Sequence, residues 1–318
     1  MGDGRGAPGV VVVGSVHTDF VTSADRLPGR GETLPGHRFG EFPGGKGDNQ
    51  AIAVARAGAR SRLLGRVGRD AQGQRLRAAL AAKGVDVAWL GEDPEAGTGA
   101  SAVLVGAEGD YASIVVPGAS ARLSSADVAR ARPAFAASRV VVGQLEIAPA
   151  VTLAALSLGG RLGSITVLNA APAPTDPASL PSGLWRAVNV VVVNRVEAAM
   201  LLRRHPGSPA DGERDALDLA RGFGLRSAVV TLGETGTAVA SDGATWREAG
   251  FRVDALDAIG AGDAFVGFLV ASLAAGADLT AAVRRANAAG ALAVTRSGAY
   301  DAAPTAAEVE ALLASASR

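Results

Sequence analysis

Short, strongly apolar runs recur along the chain, and alanine-rich segments with helical spacing separate them. The first run, Val10–Val13, is continuous and ends at Gly14, as is typical of a strand buried on both faces of a parallel sheet. Four similar runs are Val140–Val142, Ile165–Leu168, Val190–Val193 and Ala228–Thr231. Helices are predicted over Asn49–Ala57, Gln72–Lys83, Pro149–Leu158, Arg195–Arg203 and Ala216–Phe223. The alternation predicts a doubly wound α/β fold with a mostly parallel sheet flanked by helices.

Two segments interrupt this alternation. Residues 18–43 are rich in Gly and Pro and show no helical pattern. Residues 97–117 contain alternating stretches at Ala100–Val105 and Ala112–Val116, around a turn at Glu108–Asp110. We interpret both segments as strands of a small second sheet, a lid that would exclude water from a reaction. The chain, residues 1–318, is therefore expected to form one α/β domain with a discontinuous lid.

Composition narrows the classes of function. The chain has 318 residues, 48% of them hydrophobic and 19% charged, which indicates a globular protein with a large core. The formal net charge is zero, so we expect no nucleic-acid partner. The absence of cysteine excludes disulfides, thiolate metal sites and cysteine nucleophiles. His17, His37 and His205 are too far apart in sequence for a His-x-x-x-His zinc pair.

The apolar segments also bear on location. Ala264–Ala277 is the longest apolar stretch, and it is shorter than the roughly 20 residues that a membrane-spanning helix needs. Gly2–Gly9 is polar and glycine-rich, without the apolar core of a signal peptide. We therefore expect a cytoplasmic protein with no membrane partner, in which Ala264–Ala277 is a buried core helix.

The segment Leu256–Phe265 carries the clearest candidate chemistry. Gly260 and Gly262 permit a tight turn, and the helix that follows directs unpaired N–H groups toward it, which favours anion binding. Asp263 would lie in the first helical turn, beside the anion. A carboxylate in that position suits a general base for phosphoryl transfer. The alternative is that the glycines only form a loop and Asp263 only stabilises a helix N-terminus.

Other glycine-rich or polar loops follow the apolar strands, where ligands bind in open α/β folds. Gly44–Asn49 opens a helix and includes Lys46, one of only two lysines, whose compact ammonium suits a crowded phosphate site. Asp19 would accept hydrogen bonds from sugar hydroxyls. Asn194–Glu197 would face phosphate and Mg²⁺, or would simply form a helix cap. Thr231–Gly236 would form a turn beside a nucleotide, or a plain loop into the next strand.

From Val10 to about Pro304, the order and content of these loops resemble the ribokinase-type sugar kinases of the PfkB carbohydrate kinase family. Gly44–Ala51 resembles the substrate-side signature of that family, and Asp257–Phe265 resembles its catalytic signature. Supporting similarity lies at Gln144–Glu146, Leu168–Ala173, Val230–Gly233 and Ala293–Gly298. The resemblance implies a ribokinase-like fold and ATP-dependent phosphorylation of a sugar primary hydroxyl, with conversion of D-ribose to D-ribose 5-phosphate as the first choice.

The resemblance also implies a role for each matching residue. Asp263 would be the general base, and the amides of Gly260, Ala261 and Gly262 would form the anion hole. The sugar side would comprise Ser15, Val16, His17, Asp19, Gly45, Lys46, Gly47, Asp48, Asn49, Glu146 and Asp263. ATP and Mg²⁺ would be held by Asn194, Glu197, Thr231, Leu232, Gly233, Glu234, Thr235, Gly236, Gly262 and Asn287. K⁺, as a monovalent activator, would be bound by Asp257, Ile259, Ala293, Arg296, Gly298 and Ala302. A homodimer would form through the β lid.

Five positions depart from the usual ribokinase pattern: His17, Thr18, Asp48, Asn287 and Ala302. The first three touch the sugar side, so deoxyribose, a ketohexose or a nucleoside are alternative substrates for the same chemistry. A non-catalytic sugar or nucleotide sensor is a further alternative, although the intact base and lysine argue against it. A nicotinamide dehydrogenase is disfavoured because no G-x-G-x-x-G sequence follows the first strand.

Overall fold

The computed structural model describes residues 9–107 and 110–316. Residues 2–8 of the N-terminal segment and most of the predicted turn at 108–110 lie outside the described residues. The strands are β1 (Gly9–Val13), β2 (His17–Ser23), β3 (Arg38–Gly44), β4 (Arg60–Gly68), β5 (Leu90–Asp93), β6 (Gly99–Val105), β7 (Tyr111–Val116), β8 (Val140–Gly143), β9 (Ile165–Asn169), β10 (Val190–Asn194), β11 (Ser227–Thr231), β12 (Thr237–Ser241) and β13 (Ala244–Glu248). The helices are α1 (Lys46–Arg56), α2 (Ala71–Ala82), α3 (Ser125–Arg130), α4 (Arg132–Ala136), α5 (Pro149–Arg161), α6 (Arg195–Leu201), α7 (Gly212–Phe223), α8 (Ala261–Ala275), α9 (Leu279–Ala293), α10 (Ala299–Ala302) and α11 (Ala306–Ser315).

The large sheet has the strand order β13-β12-β11-β10-β9-β8-β1-β4-β5. The strands from β11 to β5 in this order are parallel to one another. β12 is antiparallel to β11, and β13 is antiparallel to β12. The five predicted strands are β1, β8, β9, β10 and β11, which are neighbours in the centre of the sheet. The predicted doubly wound, mostly parallel α/β fold is therefore confirmed.

Helices cover both faces of this sheet, which explains the continuous apolar runs. In β1, Val10 and Val12 point into one core, together with Phe268 of α8. Val11 and Val13 point into the other core, which includes residues of α5 and α7. Every residue of β1 is buried, and each buried valine contributes on the order of 1.5–3 kcal/mol to stability. Strands buried on both faces have no polar face, so their sequences do not alternate.

The sequence pattern did not identify β4 because arginines interrupt its apolar residues. Arg66 lies inside the fold and its charge is neutralised by Asp93 at 2.9 Å and Asp127 at 2.8 Å. A half-buried arginine with two carboxylate partners is compatible with a strand that borders the core. The start of α1 also differs from the prediction: the helix begins at Lys46, because Gly45, with φ 102°, is its N-cap.

The second sheet has the order β3-β2-β6-β7 and is built from the two segments predicted to form the lid. β2 is antiparallel to β3 and parallel to β6, and β7 closes the sheet as an antiparallel edge strand. The burial of β6 alternates along the strand, as expected for a sheet that is only partly covered. Among the described helices, none combines the length and the apolar character that crossing a membrane requires.

The loops that carry the predicted site residues lie at the edge of the large sheet where its parallel strands end. The loops after β1, β8, β9, β10 and β11 meet there, and α1 and α8 begin there. α1 and α8 pack closely because Gly267 of α8 has no side chain: a Cβ on Gly267 would lie 2.3 Å from the Cβ of Ala53. The close approach brings the first turns of the two helices side by side.

Candidate functional site

The first turn of α8 forms an anion-binding geometry. Gly260 is the N-cap, with φ 80°, a left-handed conformation that favours glycine. Within the described residues no side chain caps this helix. A Cβ built on Gly262 would meet no described atom within 4 Å, so the turn faces open space. Uncapped helix N–H groups beside open space are suited to bind a phosphate.

Asp263 lies in that same turn and is only 7% exposed. Gln50 donates to its Oδ1 from Nε2 at 2.8 Å, and Asn49 donates to its Oδ2 from Nδ2 at 3.3 Å. Burial raises the pKa of Asp263, although Lys46 and the hydrogen bond from Gln50 oppose the rise. A raised pKa makes this carboxylate a stronger base than an exposed aspartate.

Glu146 joins three elements on the sugar side of the site. Its Oε2 accepts a hydrogen bond from Ser15 Oγ at 2.5 Å and another from the backbone N of Lys46 at 2.9 Å. The Lys46 charge also lowers the pKa of both Asp263 and Glu197, so all three groups face one space. The structure therefore brings together the predicted residues of the first loop, of α1 and of the loop after β8.

His17 and Asp19 form a pair at the start of the lid. His17 Nδ1 lies 2.9 Å from Asp19 Oδ1, and Ser101 of β6 donates a hydrogen bond to the same oxygen. Burial lowers the pKa of His17, but Asp19 and Glu146 raise it, and the net direction is upward. The imidazole therefore stays charged to a higher pH than a free histidine.

The other predicted sugar-side residues are more enclosed. Val16 is fully buried, and its backbone N donates to Ser120 Oγ at 3.1 Å. Asp48 is 0% exposed, and in the described part of the chain neither of its carboxylate oxygens has a hydrogen-bond partner. Burial raises the pKa of Asp48 well above its ordinary value, and Asp19 and Asp263 raise it further. Burial thus favours the protonated form of Asp48, and its contact with a sugar stays a prediction.

Asn194 and Glu197 form a reciprocal cap at the start of α6. Asn194 Oδ1 accepts from the backbone N of Glu197, and Glu197 Oε2 accepts from the backbone N of Asn194, both at 2.8 Å. Burial raises the pKa of Glu197. The cap interpretation is therefore confirmed, and the phosphate and Mg²⁺ roles of the pair stay predictions.

The predicted nucleotide turn follows β11. Thr231 is paired with Asn194 in the sheet register, so this turn adjoins the phosphate side. Residues 233–235 are exposed, whereas Leu232 and Gly236 are buried. Asn287 lies apart from the exposed residues: its Oδ1 accepts from Thr237 Oγ1 at 2.6 Å, and its Nδ2 donates to two backbone carbonyls at 3.3 Å. The Asn287 amide thus ties α9 to the antiparallel strands.

The predicted cation ligands lie on two loops that Asp257 connects. Its Oδ1 accepts from the backbone N of Ile259 and its Oδ2 from the backbone N of Gly298, each at 2.9 Å. Arg296 donates to the carbonyl of Ala302 at 3.5 Å. Carboxylate and backbone carbonyl oxygens are ligands of the kind that hard cations prefer, so the cation roles of these residues stay predictions. Over residues 9–107 and 110–316, no group of three or more His, Asp or Glu side chains forms a metal cluster.

Two contributors to the site were not assigned from the sequence. Gln50 lies inside the recognised segment Gly44–Ala51, is fully buried and bonds directly to Asp263. Ser101 lies in the lid and bonds to Asp19. The signal for Gln50 was a long polar side chain on a helix of mostly small apolar residues, beside the predicted Asn49. No sequence signal marked Ser101, because only the register of β2 with β6 places it opposite Asp19.

A family model for the pfkB family carbohydrate kinases matches residues 7–306. The chain belongs to the pfkB family. This pfkB kinase is 34% identical to the ribokinase of Mus musculus over 270 residues, 84% of the chain and 82% of the relative. It is 29% identical to the deoxyribokinase of Salmonella typhi over 299 residues, 93% of the chain and 95% of the relative.

Solved structures give the same family resemblance. The structure of Arabidopsis thaliana ribokinase complexed with ribose and ATP superimposes with a TM-score of 0.86 at 25% identity. The alignment covers 96% of this chain and 99% of that one. The predicted ribokinase-like fold and the resemblance to ribokinase-type kinases are confirmed.

The buried acid Asp48 predicts a pH-dependent stability. Asp48→Asn is expected to raise the free energy of unfolding at pH values above about 4 and to change it little at lower pH. Because the folded-state pKa is raised above the reference value of 3.8, the stabilising contribution of Asp48 is complete below that value and declines as pH rises toward the folded-state pKa. Each pH unit in that interval lowers the free energy of unfolding by about 1.4 kcal/mol.

Urea unfolding of wild-type protein and Asp48→Asn across this pH range is the measurement. Asp254→Asn, at an exposed position, is the matched control and should follow the wild-type curve at every pH. An Asp48→Asn difference that is the same at every pH would contradict the burial of an unpartnered carboxyl group.

Proposed function

We propose that this kinase transfers the γ-phosphoryl group of ATP to a sugar primary hydroxyl, converts D-ribose to D-ribose 5-phosphate, and does so in the cytoplasm. One observation carries the proposal: the buried carboxylate of Asp263 lies in the first turn of α8, beside the uncapped N–H groups of that turn. The ribokinase of Mus musculus and the ribose- and ATP-bound structure of the Arabidopsis enzyme support the choice of sugar and nucleotide.

The proposed reaction uses Asp263 as the general base. Asp263 accepts the proton of the sugar hydroxyl, the hydroxyl oxygen forms a bond to the γ-phosphorus, and the bond from that phosphorus to ADP breaks. The N–H groups of Gly260, Ala261 and Gly262 stabilise charge on the transferring phosphoryl group. The order of events keeps the proton on the enzyme until the phosphorylated sugar and ADP leave.

The sugar would be bound by polar groups from three elements. Asn49 supports this assignment, since its buried Oδ1 has no hydrogen-bond partner among the described residues and would accept from a sugar hydroxyl. Asp19, Lys46 and Glu146 would bind the remaining hydroxyls, with Ser15 holding Glu146 in place. A clamp of this kind orients the primary hydroxyl toward Asp263 and lowers the entropic cost of the reaction.

ATP would lie with its triphosphate between α8 and α6 and its base near Thr231–Gly236. Glu197 and Asn194 would help hold Mg²⁺, directly or through water, and the raised pKa of Glu197 fits a carboxylate that ionises fully once a cation is near. Mg²⁺ bound there would neutralise part of the negative charge of the phosphates. The open space above Gly262 leaves room for the γ-phosphate.

Deoxyribose is the second candidate substrate. The Salmonella typhi relative is named a deoxyribokinase, and its alignment covers nearly the whole chain. His17 is the feature that favours a different hydroxyl pattern, because it occupies the predicted sugar side and pairs with Asp19. A ketohexose or a nucleoside would be bound by the same groups and differs in size rather than in chemistry.

Steady-state phosphorylation of ribose, deoxyribose, fructose and adenosine tests the proposed function. Wild-type protein is expected to show its highest kcat/KM with ribose. Asp263→Asn is expected to lower kcat by about 10²–10⁴, the usual effect of losing a general base. Asp254→Asn should match wild-type turnover. Highest kcat/KM with another sugar would reassign the substrate, whereas near-normal turnover by folded Asp263→Asn would remove the base from the proposal.

We further propose that K⁺ binds between the loops joined by Asp257. The support is geometric: Asp257 accepts from both loops, which carry the carbonyl groups expected to face the ion. An ion in this position would fix the turn that precedes α8 and so order the anion hole. Ala302 would contribute only a backbone carbonyl, for which its lack of a side-chain hydroxyl is unimportant.

Activity and thermal midpoint in K⁺, in Na⁺ and in a large organic cation at equal ionic strength test this site. Both quantities are expected to be highest in K⁺ for wild-type protein. Asp257→Asn should lose the difference between the salts, because the charge that attracts the cation is gone. Equal activity and equal midpoints in all three salts would count against a K⁺ site.

We also propose that the lid sheet mediates a homodimer. Asp19, Phe42 and Ser101 are register partners on the face of the lid that looks toward the site. The opposite face carries Phe39, 67% exposed, and Ile114, 73% exposed. An exposed apolar sheet face of this kind is typical of a protein interface, and a second copy would cover it with the same apolar side chains.

Sedimentation velocity of wild-type protein is expected to show a dimer, and Ile114→Asp is expected to shift it to a monomer because a charge would be buried at the interface. Val196→Asp, which changes an exposed valine outside the lid, is the control and should leave the mass unchanged. A wild-type monomer at all concentrations would end the dimer proposal.

A further inference from the structure

Gln50 forms three hydrogen bonds in the interior of the site, and it is 0% exposed. Its Nε2 donates to Asp263 Oδ1 at 2.8 Å and to Asn169 Oδ1 at 3.0 Å. Its Oε1 accepts from Gln144 Nε2 at 2.5 Å. The carboxamide therefore uses both of its N–H groups and its carbonyl oxygen at once.

The neighbours of Gln50 determine which way its amide points. Asn169 donates from Nδ2 to the carbonyl of Val192 at 3.1 Å, so its Oδ1 is the atom available to Gln50. The carboxylate of Asp263 also accepts only. A reversed Gln50 amide would direct its oxygen at two acceptors and its NH₂ at the NH₂ of Gln144. The network therefore has one consistent arrangement, with Nε2 facing Asp263.

We propose that Gln50 is the positioning residue for the base: it holds Oδ1 of Asp263 and directs Oδ2 toward the sugar hydroxyl. The inference rests on the proposed role of Asp263 as the base. Gln50 touches neither the sugar nor the phosphate in this assignment and acts only through Asp263.

Two observations distinguish Gln50 from the neighbouring Asn49. The Asn49 bond to Asp263 is longer, 3.3 Å against 2.8 Å, so Gln50 supplies the tighter contact. Gln50 is also anchored at both ends of its amide, through Asn169 to the end of β9 and the backbone of β10, and through Gln144 to the loop after β8. Asp263 is thus fixed relative to the large sheet and not only to its own helix.

The hydrogen bond from Gln50 to Asp263 should have a measurable effect on the pKa of Asp263. Burial raises the pKa of Asp263 and the Gln50 hydrogen bond lowers it. Without the bond, the carboxylate holds its proton to higher pH, and the fraction available as base falls at neutral pH. A residue that only fills space would affect folding without moving this ionisation.

The test compares the pH dependence of kcat/KM for wild-type protein, Gln50→Leu and Gln50→Glu with ribose. Gln50→Leu removes the donor and is expected to move the acidic limb up by about one pH unit, the size of one hydrogen bond to a charged group. Its kcat at neutral pH should fall about tenfold, with KM for the sugar changed less than about threefold. Gln50→Glu keeps the shape but adds a second acid, and should move the limb further upward.

Ser164→Ala is the matched control. Ser164 is buried, and its hydroxyl donates to the carbonyl of Ser138 at 2.9 Å, at the opposite edge of the sheet. Its loss should lower stability without moving the pH profile. If Gln50→Leu folds poorly, the isosteric Gln50→Glu carries the test, with circular dichroism confirming its fold.

A ¹³C titration of the aspartate carboxyl groups separates the two proposals, since it needs no turnover. The Asp263 signal, assigned through Asp263→Asn, should titrate at higher pH in both Gln50 variants than in wild-type protein. A shifted signal in a protein that phosphorylates no sugar would support the role of Gln50 in positioning Asp263 and would overturn the proposed function. Lowered kcat with an unmoved signal and an unmoved pH profile would overturn the role of Gln50, whatever the substrate.

Discussion

The packing of α1 on α8 is the constraint on which the candidate site depends. The two helices begin at the same edge of the large sheet. Because Gly267 of α8 has no side chain, Ala53 of α1 packs directly against the backbone of α8. Asn49 and Gln50 at the start of α1 thereby reach Asp263 at the start of α8. A carboxylate on a single surface helix would be free to rotate, whereas Asp263 is bonded to side chains on a second helix. The proposed general-base role of Asp263 would require rigid support of this kind.

The same packing creates an electrostatic difficulty. Carboxylates from the lid, from α1, from the loop after β8 and from α8 converge, and a bound triphosphate would add more negative charge. The groups that can compensate this charge are the Lys46 ammonium, His17, whose pKa is raised, and the N–H groups of the α8 turn. The raised pKa of Asp48 favours its uncharged form. Bound cations would offset the charge of the phosphates.

The sequence was sufficient to predict the central strands and the lid segments, because each depends on local pattern. The runs at β1 and β10, for example, are apolar throughout, and only a doubly covered sheet buries such runs fully. β4 was not predicted since Arg66 becomes compatible with a strand only after Asp93 and Asp127, distant in sequence, neutralise it. Gln50 was not assigned for a similar reason: its function depends on three partners from separate elements.

The pairing of β2 with β6 in the lid determines which groups contact Asp19. In the register of β2 and β6, Asp19 lies opposite Ser101, and both Ser101 and His17 engage its Oδ1. Only Oδ2 is then available to accept from a sugar. The His17 ring nitrogen, 2.9 Å from Asp19 Oδ1, restricts the rotation of this carboxylate. We therefore expect the His17–Asp19 pair in the lid to select the hydroxyl pattern of the sugar, and the first turns of α1 and α8 to carry the phosphoryl transfer.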